Sequence, residues 1–502
     1  MEDNKQNTGE NQSKTLYQGD SVTETQKNVK NYEPLSAEEL YPSLKTQQED
    51  QNYSKIDNEN PSNNQKTINL GVNDKKKYFI FGGLILFFLI VFIFLIRYFF
   101  LSAQKDKEIQ LTYWGLWEEN TVMQPIIDQY QNKNPNIKIK YQKMDPNGYR
   151  DKLIVRSQQK NGPDIFRFHN TWIPEIKDVL SPIPNKIMSA FEFDVIFYKI
   201  FQKDLKIGNN YYGIPLMLDG LVMVYNEDLF NNAGIKNQPE TWEDIINNIG
   251  QLTVKDKDGK IVTSGIALGT ASNIDHFSDI FCLFLLQNGA DLTKLDTPEA
   301  YGALESYRKF AEQPENYWDE SMPNSIDAFI QEKVAMIIVP SWEILKIAST
   351  NSNLKFRVIP VPKLPQSTPL SVATYWAEGV SKYSDGIKQV EAWKFLKFLS
   401  EKETMTKINE LQSNSRLFGT AFSRVDLGPI SLQNKYLKPV IEQAEYYKST
   451  PGMSATHDNG LNDEIIQYIE NAINATINGD SYESALKTAK EGIDQILNRY
   501  AN

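Results

Sequence analysis

The sequence predicts an α/β protein of two lobes, carried behind a polar tail and one membrane-spanning helix. Three observations predict it. Strand-like runs alternate with helix-like runs from residue 109 onward, the pattern of βαβ units and a mainly parallel sheet. About 400 residues follow the only long apolar run, more than one core organises, so two lobes are expected. The run itself, residues 78–101, reads YFIFGGLILFFLIVFIFLIRYFFL.

Residues 1–74 are rich in Asn, Gln, Lys, Glu, Ser and Thr and poor in apolar side chains. Such a segment cannot offset the entropy of ordering, and a disordered tail is expected. Residues 75–101 are expected to form the anchor. About 19 residues precede Arg97, enough to cross a hydrocarbon layer of ~30 Å. Lys75, Lys76 and Lys77 outweigh Lys105 and Lys107 beyond the run, which favours a cytoplasmic tail and an outer domain. The competing reading is a cleaved secretory signal ending near Ala103. Against it, the run is longer than a signal core and starts far from Met1. Residues 102–107 are read as a linker and 108–502 as the folded domain.

Within that domain, residues 109–114 (IQLTYW) read as a strand. Residues 120–131 follow, with Val122, Met123, Ile126 and Ile127 at helical spacing. After the breaker at Pro135, residues 137–141 (IKIKY) alternate as a second strand. Residues 149–159 return to helix, and 165–168 (IFRF) form a third strand. A second series starts near Gly213, with strands at 214–217 and 221–225. Thr241 opens a helix, with Asp244 placed to complete a capping box. Asp258 and Gly259 mark a hairpin turn rather than a calcium loop, because the remaining ligand positions are missing. Residues 334–339 and 356–361 read as further strands. An amphipathic helix carries Val390, Trp393, Leu396 and Leu399. Two long helices close the chain near 461–477 and 482–497, the last one capped by Asp480 with Glu483.

Composition excludes several classes. Net charge is −11, with 53 basic against 64 acidic residues and no basic cluster in the folded domain, so a nucleic-acid partner is not expected. His169, His276 and His457 share no ligand spacing, and Cys282 is the only cysteine. Neither a zinc site nor a Cys/His catalytic pair is supported, and no cofactor is expected. Cys282 lies in an apolar helical pattern and is read as a buried thiol. No phosphate-binding, dinucleotide or nucleophile-elbow motif is present.

Several segments together resemble one family. They are LTYWGLWE at 111–118, NPNI at 134–137, GPDI at 162–165, YGIP at 212–215 and VYNEDL at 224–229. PETW at 239–242, QNG at 287–289, VAM at 334–336, PSW at 340–342 and AWKF at 392–395 follow. Each fragment is weak, but their shared order over the folded domain is specific. The domain resembles the extracellular solute-binding proteins of ABC importers, in the sugar-binding group that includes maltose-binding protein. The resemblance implies a type II periplasmic-binding-protein-like fold with a hinge and an interlobe cleft. It implies a first lobe at about 108–216 and 362–400 and a second lobe at about 217–361. Residues 401–502 would pack across both. It also implies a monomer that takes a small-molecule ligand, a saccharide, and delivers it to permease subunits.

A sugar presents flat C–H faces and a rim of hydroxyls, so it needs aromatic plates and short polar side chains. Segments expected at the C-terminal edges of strands carry that mixture. Trp114, Trp117 and Glu118 follow the first strand. Asn170, Thr171 and Trp172 follow the third. Asp219 lies at the entry to the second lobe, and Asn273 precedes a helix. Ser341 and Trp342 are read as following a strand, as are Tyr375, Trp376 and Glu378. Trp242 and Trp393 fit helix faces and are read as core. Arg416 is given little weight, because the segment NSRLF at 414–418 lacks the family's usual proline. One plate hiding roughly 60 Å² of sugar gives ~1.5 kcal/mol, whereas a micromolar site needs about 8, so several plates are expected.

Three functions compete. The first is a membrane-anchored receptor, tail inside and binding domain outside the cell membrane, feeding an importer by binding and closure without chemistry. The second is a sensor or polysaccharide-capture protein. The third is a glycosidase using Glu118 with Asp219 or Glu378, which would need paired carboxylates ~5–9.5 Å apart.

Overall fold

A computed structural model describes residues 87, 89–93 and 108–500. Contacts divide the chain into Met1–Phe94 and Leu95–Asn502. In the first unit, residues 87 and 89–93 are helical. The expected tail (1–74), the linker (102–107) and most of the anchor (75–101) lie outside the described residues. Among the described residues, no helix is long and apolar enough to cross a membrane.

The second unit is built on two sheets. The larger one uses β1 (Ile109–Gly115), β2 (Ile137–Lys143), β3 (Ile165–His169) and β4 (Ile214–Pro215). The smaller one uses β5 (Leu221–Asn226), β6 (Met336–Pro340) and β7 (Phe356–Pro360), after which β8 (Trp376–Val380) rejoins the larger sheet. The larger sheet runs β2-β1-β3-β8-β4. β1 pairs in parallel with β2, from Ile109 opposite Ile137 to Gly115 opposite Lys143. β3 is buried along its whole length, as a strand covered on both faces must be.

The expectation of a mainly parallel sheet fails outside β1–β3. β8 is antiparallel to both β3 and β4. The smaller sheet, ordered β6-β5-β7, is antiparallel throughout. β6 and β7 run the same way, as a strand–helix–strand unit demands, but β5 lies between them in the opposite direction. Periodicity registers a strand's existence and not which strand is inserted beside it.

The local signals are mostly in place. Thr241 accepts from the Asp244 backbone N–H, and Asp244 accepts in return from Thr241, so the capping box is closed. Gly259, at φ 79°, turns the hairpin between Val254–Lys255 and Ile261–Thr263. The last helix, Tyr482–Tyr500, departs from expectation. Its cap is Ser481, whose Oγ accepts from the Ser484 N–H at 3.2 Å, rather than Asp480. The two residues are adjacent and equally suited as caps, so composition could not place the boundary. Trp393, Trp242 and Cys282 are buried in the core.

The C-terminal segment touches both sheet systems. Helix Lys402–Ser413 lies on helix Asn120–Lys133, whereas helix Leu461–Ile477 contacts Phe277–Gln287 and Tyr482–Tyr500 contacts Pro298–Arg308. The chain passes between sheets where Leu218 bridges Ala421 and Gly220 bridges Ala373. Beside them, Ser371–Val372 pairs with Tyr447–Lys448. A Cβ on Gly220 would lie 2.5 Å from the Val372 carbonyl, so only glycine lets these crossing strands approach.

Candidate ligand-binding site

The ends of β1 and β3 and the start of β8 share one edge of the larger sheet, because β8 runs against the other two. The end of β6 and the start of β5 likewise share one edge of the smaller sheet. Residues 218–221 and 371–376 connect these two edges.

The first edge carries an aromatic cluster centred on Trp376. Its ring is T-shaped against Trp117 at 5.5 Å, Trp172 at 5.1 Å and His169 at 5.0 Å. Trp117 is 43% exposed and Trp376 is half-buried, while Trp172 is almost wholly covered. The order in the cluster is thus an exposed plate, a half-covered plate and a buried support. Burial pushes the His169 imidazole down to about 3, so it is neutral. Its Nδ1 accepts from the Thr171 N–H at 3.3 Å, which leaves the proton on Nε2, 3.0 Å from Thr374 Oγ1.

The second edge carries Asp219, Ser341 and Trp342. Asp219 Oδ1 accepts from the backbone N–H groups of Gly220 (2.6 Å) and Ser341 (3.0 Å), and Oδ2 from Ser341 Oγ (2.9 Å). Burial nevertheless raises its carboxyl to about 7, against the lowering effect of those donors and of Arg416. Trp342 donates through Nε1 to Glu343 at 3.1 Å, and its ring meets His276 at 5.9 Å. His276 Nε2 lies 3.2 Å from Glu343. Burial opposes the charge on His276, but the Glu343 hydrogen bond with Asp279, Glu343 and Asp275 raises its affinity for the proton.

Thr374 joins the edges. Its N–H donates to the Asp219 carbonyl at 3.1 Å, and its hydroxyl lies between His169 Nε2 and Ser454 Oγ. The Ser454 N–H donates to both Asp279 oxygens at 3.2 Å. A buried polar chain therefore runs from the end of β3 to helix Phe277–Gln287.

Sequence reasoning missed Arg167. It stands in the middle of β3, 2% exposed, where a charge must be paired. It pairs with Glu378 at 2.6 Å and with Glu118. Gln412 donates to Glu118 from helix Lys402–Ser413 at 3.2 Å. Burial raises the Glu378 carboxyl and the Arg167 charge lowers it; burial dominates. Both glutamates are thus engaged inside the fold. An arginine between apolar residues in a strand is a signal that could have been read.

The remaining candidates lie outside the cluster. Trp114 packs on helix Tyr149–Gln158, its ring 6.3 Å from Tyr149 and 5.8 Å from Lys152 Nζ. Tyr375 and Asn170 both donate to Asp204, at 3.1 and 3.4 Å, beneath the cluster. Thr171 holds His169. Asn273 spends its amide on the Asp319 and Met322 carbonyls and its oxygen on Thr270 and Trp318. Among the described residues, no group of three or more His, Cys, Asp or Glu could hold a metal.

Comparison with known proteins gives a consistent result. The family model described as bacterial extracellular solute-binding protein matches residues 115–406. A protein of Brucella abortus (strain 2308), named only as a binding protein, is 24% identical over 297 residues, covering 56% of this chain and 69% of that one. The diacetylchitobiose binding protein DasA of Streptomyces coelicolor is 25% identical over 246 residues, 45% of this chain and 54% of that protein. Among solved structures, a cyclo/maltodextrin-binding protein complexed with maltotetraose superimposes with TM-score 0.63 at 18% identity. It covers 78% of this chain and 98% of its own. The structural likeness establishes the two-lobed α/β fold.

Proposed function

The chain belongs to the bacterial extracellular solute-binding protein family, and from that premise we propose that it captures a saccharide between its two lobes and passes it to an ABC importer. The observation that carries the ligand class is the Trp117–Trp376–Trp172 cluster on one edge, with Asp219 and Ser341 on the other and Thr374 linking the two. Aromatic plates suit the C–H faces of a pyranose, and a carboxylate with a spare acceptor position suits its hydroxyls. The ligands named for relatives, diacetylchitobiose and maltotetraose, are oligosaccharides and support the same class.

The first lobe is taken as about 108–216 with 362–400 and the second as about 217–361, with 401–502 bridging them. Binding and lobe closure do the work, and ligand favours the closed form through tighter binding to it than to the open form. Residues 75–101 would anchor a monomer with the tail inside the cell and the binding domain outside. An uncleaved anchor with a long tail also suits a sensor, the second reading. The glycosidase reading is dropped: the family is one of binding proteins, and Glu118 and Glu378 are committed to Arg167.

The test is thermal unfolding of the full chain in detergent against maltotetraose, diacetylchitobiose, mannobiose, a tripeptide and spermidine. A binder present at 100 times its Kd adds about 2.7 kcal/mol. A rise with one saccharide and none with the others supports the reading. A rise only with the tripeptide or spermidine overturns the ligand class.

A further inference from the structure

Arg416, given little weight on its local segment, belongs to the stretch that the Leu218–Ala421 bridge fastens beside the connection between the two edges. It follows helix Lys402–Ser413, and its N–H donates to the Gln412 carbonyl at 3.1 Å. Gln412 reaches Glu118 on one side and accepts from the Thr420 N–H at 3.2 Å on the other. The Leu218 N–H donates to the Ala421 carbonyl at 2.9 Å, which fastens the same segment beside Asp219. Through Gln412 and the Leu218–Ala421 pairing, Arg416 lies in the neighbourhood of both Glu118 and Asp219, close enough for both carboxylates to act on its charge.

The guanidinium is only partly used. Nε donates to the Phe418 carbonyl at 3.0 Å, which fixes the plane of the group. Among the described residues, the two terminal nitrogens have no hydrogen-bond or ion-pair partner, although the residue is half-buried. A guanidinium held by Nε with both terminal nitrogens free is a preorganised pair of parallel donors. Its surroundings decide what it can receive. Arg167 is already matched by Glu118 and Glu378, and Asp219, partly ionised at neutral pH, acts on Arg416, so the group has little positive surplus to attract an anion. A hydroxyl pair fits, because it accepts two hydrogen bonds and brings no charge.

We propose that Arg416 is a ligand-contacting residue whose two terminal nitrogens donate together to adjacent hydroxyls of a neutral saccharide. This rests on the saccharide reading above. It separates the roles in the site: the tryptophans hold the sugar by its faces, and Arg416 sets its rotation about the stacking axis. Arg416→Lys keeps the charge and loses the fork, so it is not a conservative change here.

The test is calorimetric titration of the full chain, wild type and Arg416→Ala, Arg416→Lys and Arg416→Gln, with maltotetraose, diacetylchitobiose and mannobiose. Monodeoxy derivatives of the sugar that binds and a uronic-acid-terminated disaccharide complete the set. Arg416→Ala is expected to weaken binding roughly 10- to 100-fold, with Arg416→Lys recovering only a minor part. Deoxygenation at either of two adjacent positions should weaken the wild type and leave Arg416→Ala unaffected, the coupling a merely structural arginine does not produce. Deoxy losses equal in wild type and Arg416→Ala overturn the contact, as does an Arg416→Ala affinity within about twofold of wild type. Tighter binding of the uronic acid than of the neutral sugars overturns the assignment to a hydroxyl pair. Failure of the wild type to bind any saccharide sinks the underlying reading instead.

Discussion

Replacing Arg167 with Leu tests the electrostatic design of the larger sheet. The substitution keeps an apolar strand residue and removes the partner of Glu378 at 2.6 Å and of Glu118. Those carboxylates are 1% and 6% exposed, so neither can reach water without opening the sheet. Leaving a buried charge uncompensated costs about 3–5 kcal/mol, a large part of the ~5–15 kcal/mol that holds a domain together. The deficit has a predicted pH dependence. Burial already raises the Glu378 carboxyl against the lowering effect of Arg167, and without Arg167 that opposition is gone, so the native state binds more protons than the unfolded one. Its stability then falls as pH rises from about 5 to 8. Urea denaturation followed by tryptophan fluorescence at both pH values reads the effect. The deficit at pH 8 should exceed the deficit at pH 5, and adding Glu378→Gln should restore at least ~1 kcal/mol. A deficit below about 1 kcal/mol, or one that ignores pH, would show that the triad is hydrated and the burial argument mistaken.

Trp376→Ala removes the centre of the aromatic cluster and should weaken maltotetraose or diacetylchitobiose binding roughly tenfold by calorimetry; an unchanged Kd removes Trp376 from the site. The Asp219 carboxyl, held at about 7, lies above its unfolded value of about 3.9. Its ionised form is penalised in the fold, so it draws stability down as pH rises from 4 to 7. Asp219→Asn should flatten that slope in a melting series, and an unaltered slope assigns it to another group. Gly460→Ala places a methyl 1.4 Å from Arg150 Nη1. Arg150 cannot yield, because it is 1% exposed and tied to Glu175 at 3.1 Å and Asp458 at 2.9 Å. A loss of at least ~2 kcal/mol is expected in denaturant melts, and a neutral effect would mean that the pocket around Arg150 is loose.

Much of the local structure was legible in advance because its causes are local. β1, β2 and β3 follow from alternation and apolar runs, and the helix after Thr241 follows from its capping box. Part of the site was legible for the same reason. Residues just past a strand's end stand at the sheet edge, which is where Trp117 and Trp172 lie; Trp376 shares that edge for another reason, because it opens β8, which runs against β3.

What failed involved partners distant in sequence. Asn273, identical in chemistry to a ligand contact, ties the chain to Trp318 and to backbone carbonyls at 319 and 322. Arg167 in IFRFH announces a buried charge, yet its partners stand 49 and 211 positions away. For Arg416 the segment alone left a late contact and a surface charge both open, and only the 218–421 bridge brings its stretch into the neighbourhood of Asp219. By itself, then, the sequence determined β1, β2 and β3, the helices with clear periods and caps, and that two lobes are needed, but not β8. The tertiary structure alone decided strand direction in the smaller sheet, which carboxylates are spent on Arg167, and where Arg416 comes to lie. Secondary structure depends on side-chain periods within one segment, whereas pairing and burial of a polar group depend on which distant segment is brought against it.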